Sequence, residues 1–460
     1  MSNVLGRQAV VIGAGISGLA AAGALANHFE QVTVLERDRL ARDPAHRPGT
    51  PQSRQLHGLL VGGLEALCAI FPGLDQDLAA AGAVPIRAVA DFREELPGFD
   101  PFPRRDFGTV LYAASRPLLE HTLRRRALAH RNIAIRDQCR VLDLVPAADR
   151  RSITGVRCEG ADGSRETVAA DLIVDASARG TLTLAALDAM GRARPRETTV
   201  GVDIGYATLA FEMPEVRHDW KVVLTFPGAP NDRRSGFLLA VEENRWMACI
   251  AELHCARPPC DLAEFLDAAR RLRTRTIYDA IKNARPAGPP QRFGLAESSW
   301  RHYETVVDFP QGLLPIGDAV CRFNPVYAQG MSVAAREASI LADLLRRRAR
   351  DAQGLAGLPH DYLAEVQPWI AGAWSMSTTP DLACPQTRGE RPADLECTLD
   401  FGSALHRVAA RDPDVHELLV AVRHLARPDA ALHEPGLIER VRAEMAAASP
   451  RAAEWATLAA

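Results

Sequence analysis

The hydrophobic pattern begins with a continuous apolar run, Ala9-Val10-Val11-Ile12, which stops at Gly13-Ala14-Gly15-Ile16-Ser17-Gly18. An alanine- and leucine-rich stretch at helical spacing follows, and a second apolar run from Gln31 to Leu35 ends at Glu36. Short apolar runs bounded by turn residues are strands, so residues 8–40 predict a strand, a glycine turn, a helix and a strand. Residues 133–175 alternate apolar and polar positions around the hairpin pair Asp162-Gly163 and finish in Leu172-Ile173-Val174-Asp175. This predicts a small meander that returns to a parallel sheet.

From 201 to 253 the strand pattern dominates, in Tyr206–Phe211, Val222–Phe226 and Phe237–Val241. A mostly antiparallel sheet is expected there. A helical pair near 262–284 and a proline-rich loop at 285–290 lead to a short apolar strand, Leu313-Leu314-Pro315-Ile316, which ends in Gly317-Asp318. The next helix carries Val333, Ile340, Leu341, Leu344 and Leu345, and is expected to end near Arg350. Trp369 and Trp374 stand on a further helical segment, before an expected loop from Thr378 to Pro392. Loops of that length are often lids. Asp412-Pro413 and Glu434-Pro435 open two more helices.

The order of elements predicts an α/β chain. A Rossmann-like nucleotide-binding domain at 1–190 and 291–350 is interrupted by a mostly antiparallel substrate domain at 191–290, and a helical C-terminal region with the lid loop occupies 351–460. With 460 residues, 47% of them hydrophobic and 24% charged, the chain is globular. Its 54 basic and 57 acidic residues give a net charge of -3, which provides no electrostatic case for nucleic acid or anionic lipid. Nine cysteines are scattered without a C-x-x-C pair or zinc-finger spacing, and His254, Cys255 and Cys260 lack a fourth ligand, so no metal is expected. Reduced thiols, the absence of a secretory pattern and the lack of a long apolar stretch point to the cytoplasm.

The glycine turn carries the first chemistry. Gly13 permits the tight turn, Gly15 lets backbone N–H groups approach a pyrophosphate at the helix start beside Ser17, and Gly18 permits close packing of helix on strand. Glu36, at the end of the second strand, is placed to accept hydrogen bonds from a ribose. Both NAD and FAD use such a unit. The discriminating motif is Gly317-Asp318, followed by Phe323-Asn324-Pro325 and Gln329-Gly330-Met331. A carboxylate at Asp318 can accept from ribityl or ribose hydroxyls, and a helix beginning near Gly330 aims free N–H groups at the pyrimidine edge of a flavin.

With these motifs the sequence resembles the flavin monooxygenases related to para-hydroxybenzoate hydroxylase. Pro51–Leu60, Ser115-Arg116-Pro117-Leu118-Leu119 and the stretch from Gly317 to Tyr327 resemble the branch of polyether-type flavin epoxidases, with Ala328 standing where that branch usually has glycine. The resemblance implies bound FAD, with Arg116 at the pyrophosphate, Arg54 as a second candidate for that charge, and Arg37, Val141 and Pro325 in the cofactor set. It implies oxygen captured as a C4a-hydroperoxide and passed to a double bond or ring by epoxidation or hydroxylation. No catalytic side chain is assigned.

One glycine fingerprint leaves no separate nicotinamide domain, so electrons are expected from transient NAD(P)H or a flavin reductase. Tyr206, Phe226, Trp246, Trp369 and Trp374 are the candidates for lining the pocket of a bulky, lipophilic substrate, such as a polyketide or terpenoid intermediate. His57 is placed near the flavin or satisfied by backbone, and Asp175–Gly180 is a turn beneath the cofactor or a purely structural one. Three rivals are an FAD-dependent dehydrogenase or saturase, a halogenase and a non-catalytic lipid carrier. The halogenase is disfavoured because the chain lacks a Trp-x-Trp-x-Ile-Pro segment and its lysines, Lys221 and Lys282, have no halogenase context.

Overall fold

The computed structural model describes residues 4–215 and 218–448. A parallel five-stranded sheet runs in the spatial order Leu313–Pro315, Leu172–Asp175, Gly6–Ile12, Phe29–Leu35, Ile133–Arg136. Its central strand places Ala9, Val10 and Val11 wholly out of solvent, as a strand covered on both faces requires. The meander forms a separate antiparallel sheet of Arg140–Pro146, Ile153–Glu159 and Arg165–Ala169.

The helix Ile16–Leu25 crosses the first strand closely. A Cβ added to Gly18 would overlap the carbonyl oxygen of Gly13, and Gly13 itself takes φ +101°. These two glycines fix where the helix begins. The helix Gly330–Arg350 packs against it, joining the two halves of the nucleotide unit that lie far apart in sequence.

The second large sheet has seven strands and is antiparallel except where Phe92–Glu95 lies parallel to Val222–Thr225. Its two faces do different work. Along Arg245–Glu252, Trp246, Ala248 and Ile250 pack beneath the helices Leu262–Arg270 and Thr276–Ile281, in a core with Phe265 and Ile277. The alternate residues Cys249 and Ala251 face a cavity, because successive side chains of a strand point to opposite faces.

The helices Leu395–Arg411, Pro413–Arg423 and Pro435–Ala448 share a core with Phe102. Both proline-initiated helices start where expected. The loop expected from Thr378 does not: the preceding helix runs from Leu358 to Leu382 with Pro368 and Pro380 inside it. A proline frees a carbonyl one turn back, for Pro380 that of Met376, yet the helix continues; side chains just before it bond back to helix carbonyls, Thr378 Oγ1 donating to Trp374 O at 2.8 Å and Ser377 Oγ to Ala373 O at 3.1 Å. The remaining connection is strapped to the outer sheet. Arg388 exchanges backbone bonds with Gly201 (2.8 and 3.0 Å), and its guanidinium pairs with Asp203.

Replacing Gly18 with alanine forces helix and strand apart. Chemical denaturation of Gly18→Ala is expected to show a loss of about 1 to 3 kcal/mol, the usual range for overpacking; an unchanged midpoint would mean that the crossing is looser than described.

Candidate functional site

A cavity of about 1640 Å³ lies between the parallel sheet, the antiparallel sheet and the C-terminal helices. Ligand pockets usually hold roughly 300 to 1,000 Å³, so this one has room for two bodies. Its two ends differ in chemistry.

The first end is built around the glycine turn. The helix at Ile16 has no side-chain cap and no acidic residue in its first turn, so its amides and positive dipole end face the cavity unopposed. Two guanidinium groups converge there. The position of a Cβ on Gly15 lies 3.9 Å from Nη2 of Arg116 and 3.9 Å from Nη2 of Arg47, so both groups stand over the helix start.

Arg116 begins the helix Arg116–Leu128, whose N-cap Ser115 accepts from the Leu118 amide at 3.4 Å. Arg47 is fixed by three carboxylates: Glu36 at 3.0 Å, Asp38 at 3.0 Å and Glu120 at 2.8 Å. Glu120 also pairs with Arg116 at 3.4 Å, so both arginines are held from one side and present their remaining N–H groups to the cavity. Glu36 is buried, accepting from the Ala14 amide at 2.8 Å and the Asp38 amide at 2.9 Å.

The second motif meets the first directly. Gly317 takes φ +66°, and a Cβ there would lie 2.5 Å from Ser17 Oγ. The Gly317 amide donates to Glu337 at 2.6 Å, a carboxyl that burial and neighbouring Asp318 push up to about 8. Burial also raises Asp318, against the pull of Arg322 and Arg116. The uncapped helix start at Gly330 stands beside it, a Cβ position there being 3.8 Å from Asp318 Oδ1.

Between them, Asn324 to Gln329 form a loop whose Pro325, Val326 and Tyr327 line the cavity. Its anchor is Asp381. This buried carboxyl accepts from Asn324 Nδ2 at 3.1 and 3.0 Å and from the Tyr327 hydroxyl at 3.0 Å, and burial pushes it up to about 7.

Gly13, Gly15, Ser17, Glu36, Arg37, Arg116, Val141, Asp318, Pro325, Gly330 and Met331 all border this cavity, and Gly18 supports it from behind. Arg54 does not reach it: it is exposed at the end of the short helical turn Pro51–Arg54, and Arg47 takes the place expected for it. Arg47 sits in a polar loop that matches no motif, so only its contacts reveal it. His57 borders the cavity with Nδ1 held 2.9 Å from Gln55 O, and burial, reinforced by Arg116, pushes its ring down to about 3, leaving it neutral. Asp175 closes its own turn, accepting from the Ser177 amide, the Thr183 amide and the Thr183 hydroxyl.

The second end is the chamber. Tyr206 and Phe226 line it, with Phe237, Leu239, Phe293 and Leu405. The tryptophans are elsewhere. Trp246 falls on the opposite face of its strand, against Trp220; Trp369 lies under the Arg336 guanidinium, 4.6 Å from its ring centre; and Trp374 packs on Trp300. None of the three borders the cavity. Of the expected lid loop only Thr379 and Pro380 do so, and both are helical. The cover is formed instead by the helices Leu395–Arg411 and Pro413–Arg423 and by Asp429–His433. His254, Cys255 and Cys260 do not form one site: His254 bonds Thr387 at 3.1 Å, while Cys260 lies beside Arg257 and Glu264 at a helix start.

Residues 7–368 match the profile of the FAD binding domain family. The chain belongs to this family. The donors fit that cofactor: an uncapped helix start flanked by two guanidinium groups for a pyrophosphate, and an acceptor carboxyl beside a second helix start for the flavin side.

A relative, Protein Rv3254 of Mycobacterium tuberculosis, is 35% identical over 409 residues, covering 84% of both chains. Among solved structures, the flavin-dependent brominase Bmp2 superposes with a TM-score of 0.67 at 14% identity, covering 97% of this chain and 100% of its own. PqsL of Pseudomonas aeruginosa, described as a probable FAD-dependent monooxygenase, superposes with a TM-score of 0.61 at 16% identity, covering 83% and 97%. The shared fold is that of FAD-dependent monooxygenases and halogenases. It does not select between the two chemistries.

Removing Arg47 or Arg116 with alanine is expected to weaken FAD binding by about 1.5 to 3 kcal/mol, the usual loss for a charge-assisted hydrogen bond, while Arg54→Ala leaves it unchanged. Titration of apoprotein followed by flavin fluorescence reads this directly, and the reverse ranking would move the anion site to Arg54.

Asp381 gives the apoprotein a pH signature. Its value rises from 3.8 in an unperturbed carboxyl to about 7 when folded. Between those values the folded chain therefore holds a proton that the unfolded chain has lost. The associated stability is complete below the lower value and is lost as pH climbs through the higher one. Asp381→Asn is expected to flatten the fall in unfolding free energy between about pH 4 and 7; parallel profiles for variant and parent would deny the burial effect.

Proposed function

We propose that this chain is an FAD-dependent monooxygenase that places one oxygen atom from O2 into a lipophilic natural-product substrate, by epoxidation or hydroxylation. The observation that carries this reading is the direct opening of the cofactor cradle into an apolar chamber walled by Phe226, Phe237, Leu239 and Phe293. FAD supplies the oxygen activation when bound and reduced, which no side chain of the twenty can do. The protein's part is placement and dryness.

Arg47, Arg116 and the Ile16 helix start hold the pyrophosphate, Asp318 accepts from the sugar chain, and the Gly330 helix start favours negative charge on the flavin. The loop anchored by Asp381 sets how closely a substrate approaches, with the Ala328 methyl packed against Gly58 at its tip. The apolar walls keep water from a reactive oxygen species. Electrons come from NAD(P)H visiting the flavin or from a reductase partner, and the chain works in the cytoplasm.

The halogenase alternative needs a lysine between flavin and substrate. Lys221 donates to Pro85 O at 2.7 Å and pairs with Asp91, Lys282 pairs with Asp279, and neither borders the cavity. A dehydrogenase or saturase uses the same cradle, and one experiment separates the two. FAD-loaded protein reduced without air, then given labelled dioxygen and lipophilic alkenes or aromatics, is expected to yield product heavier by one labelled oxygen atom. Desaturated product with hydrogen peroxide and no incorporated label would replace the monooxygenase reading by the dehydrogenase one.

A further inference from the structure

The chamber is not apolar throughout. Where the helices Leu395–Arg411 and Pro413–Arg423 roof it, His406, Arg423 and the adjoining His424 border the space. Behind the lining, the buried Glu94 of the strand Phe92–Glu95 pairs with Arg423, whose Nη2 donates to Glu94 Oε1 at 2.6 Å. That pair cancels its own charge.

The histidines complete the patch with opposite polarity. His406 Nδ1 lies 2.7 Å from Gly402 O, so Nδ1 carries the proton and Nε2 is a bare acceptor. His424 Nδ1 accepts from the Val61 amide at 3.5 Å, so Nε2 carries the proton and is a donor. Burial first, then the Arg423 charge, lowers both rings, and His424 is pushed down to about 4, so each is neutral near pH 7. Behind them Arg105 is bonded to His416 at 2.6 Å, with the Phe102 ring in contact with both His406 and His416.

We propose that His406, His424 and Arg423 form a second subsite, which binds a neutral hydroxyl group of the substrate, as in a phenol, an enol or an alcohol, while the apolar body of the molecule fills the chamber toward the flavin. This rests on the reading that the chamber holds the substrate. The chemistry decides among head groups. A hydrocarbon would leave a buried imidazole acceptor and guanidinium N–H groups unmatched, a loss that sites built for hydrogen bonding impose strongly. A carboxylate would find Arg423 already neutralised by Glu94 and Arg407 by Glu444. A hydroxyl donates a hydrogen bond to His406 Nε2 and can accept from both His424 and Arg423 on its two lone pairs, which matches all three.

The test uses FAD-loaded, oxidised protein with no reductant, so that nothing turns over. Titration with 1-naphthol, naphthalene and 1-naphthoate, followed by calorimetry, is expected to show the naphthol bound at least about ten-fold more tightly than either of the others. His406→Leu is expected to erase that preference, and His406→Gln, which keeps an acceptor, to restore part of it. Equal affinities, tightest binding of the naphthoate, no binding of any probe, or a preference that survives His406→Leu would each overturn the subsite. If His406→Leu fails to hold flavin, the ranking in the unaltered protein decides alone. The readout involves no oxygen transfer, so failure of the monooxygenase reading shows separately, as flavoprotein that ranks the probes as expected but incorporates no label.

Discussion

The closeness of the first helix to the first strand governs what surrounds it. With no side chain at Gly13 or Gly18, the helix Ile16–Leu25 lies low enough on the sheet for its bare N-terminus to open into the cavity. The same closeness brings Ser17 against Gly317, so the end of a strand about 300 positions later is brought up beside the turn. Asp318 and the Gly330 helix start follow from that contact. A methyl group at position 18 would disturb both halves of the cradle together.

Charge is arranged to leave one face of each group available. Arg47 and Arg116 are gripped from behind by Glu36, Asp38 and Glu120, which fixes the guanidinium planes without consuming every N–H. Buried carboxyls elsewhere in the site, Glu337 and Asp381, are raised by burial, and they work as hydrogen-bond posts for the Gly317 turn and the Asn324–Gln329 loop. Polar groups thus position backbone at the cofactor end, while aromatic and aliphatic side chains dominate the chamber.

Much of this was legible from the chain. Gly13, Gly15, Gly18 and the Asp318–Gly330 stretch are local motifs whose spacing carries their geometry, and Asp412-Pro413 and Glu434-Pro435 mark helix starts by capping chemistry. Arg47 was not legible, because an arginine in a polar loop has no spacing that distinguishes it from a surface residue. Trp246 misled for a different reason: strand periodicity says that alternate residues face apart, but not which face meets the cavity. Pro380 and its neighbours read as loop, whereas the helix continues through them to Leu382, a proline ending a helix only when nothing else packs it in place. The roof helices were predicted as helices, but nothing local in them announces that His406 and Arg423 look into a chamber formed by distant strands.

The two glycine-marked turns together fit one FAD. The visible spectrum of the protein as isolated, with the flavin released by denaturation counted against the chain, tests it most directly. Flavin absorption bands and about one FAD released per chain are expected. A colourless protein that also takes up no added FAD would contradict it.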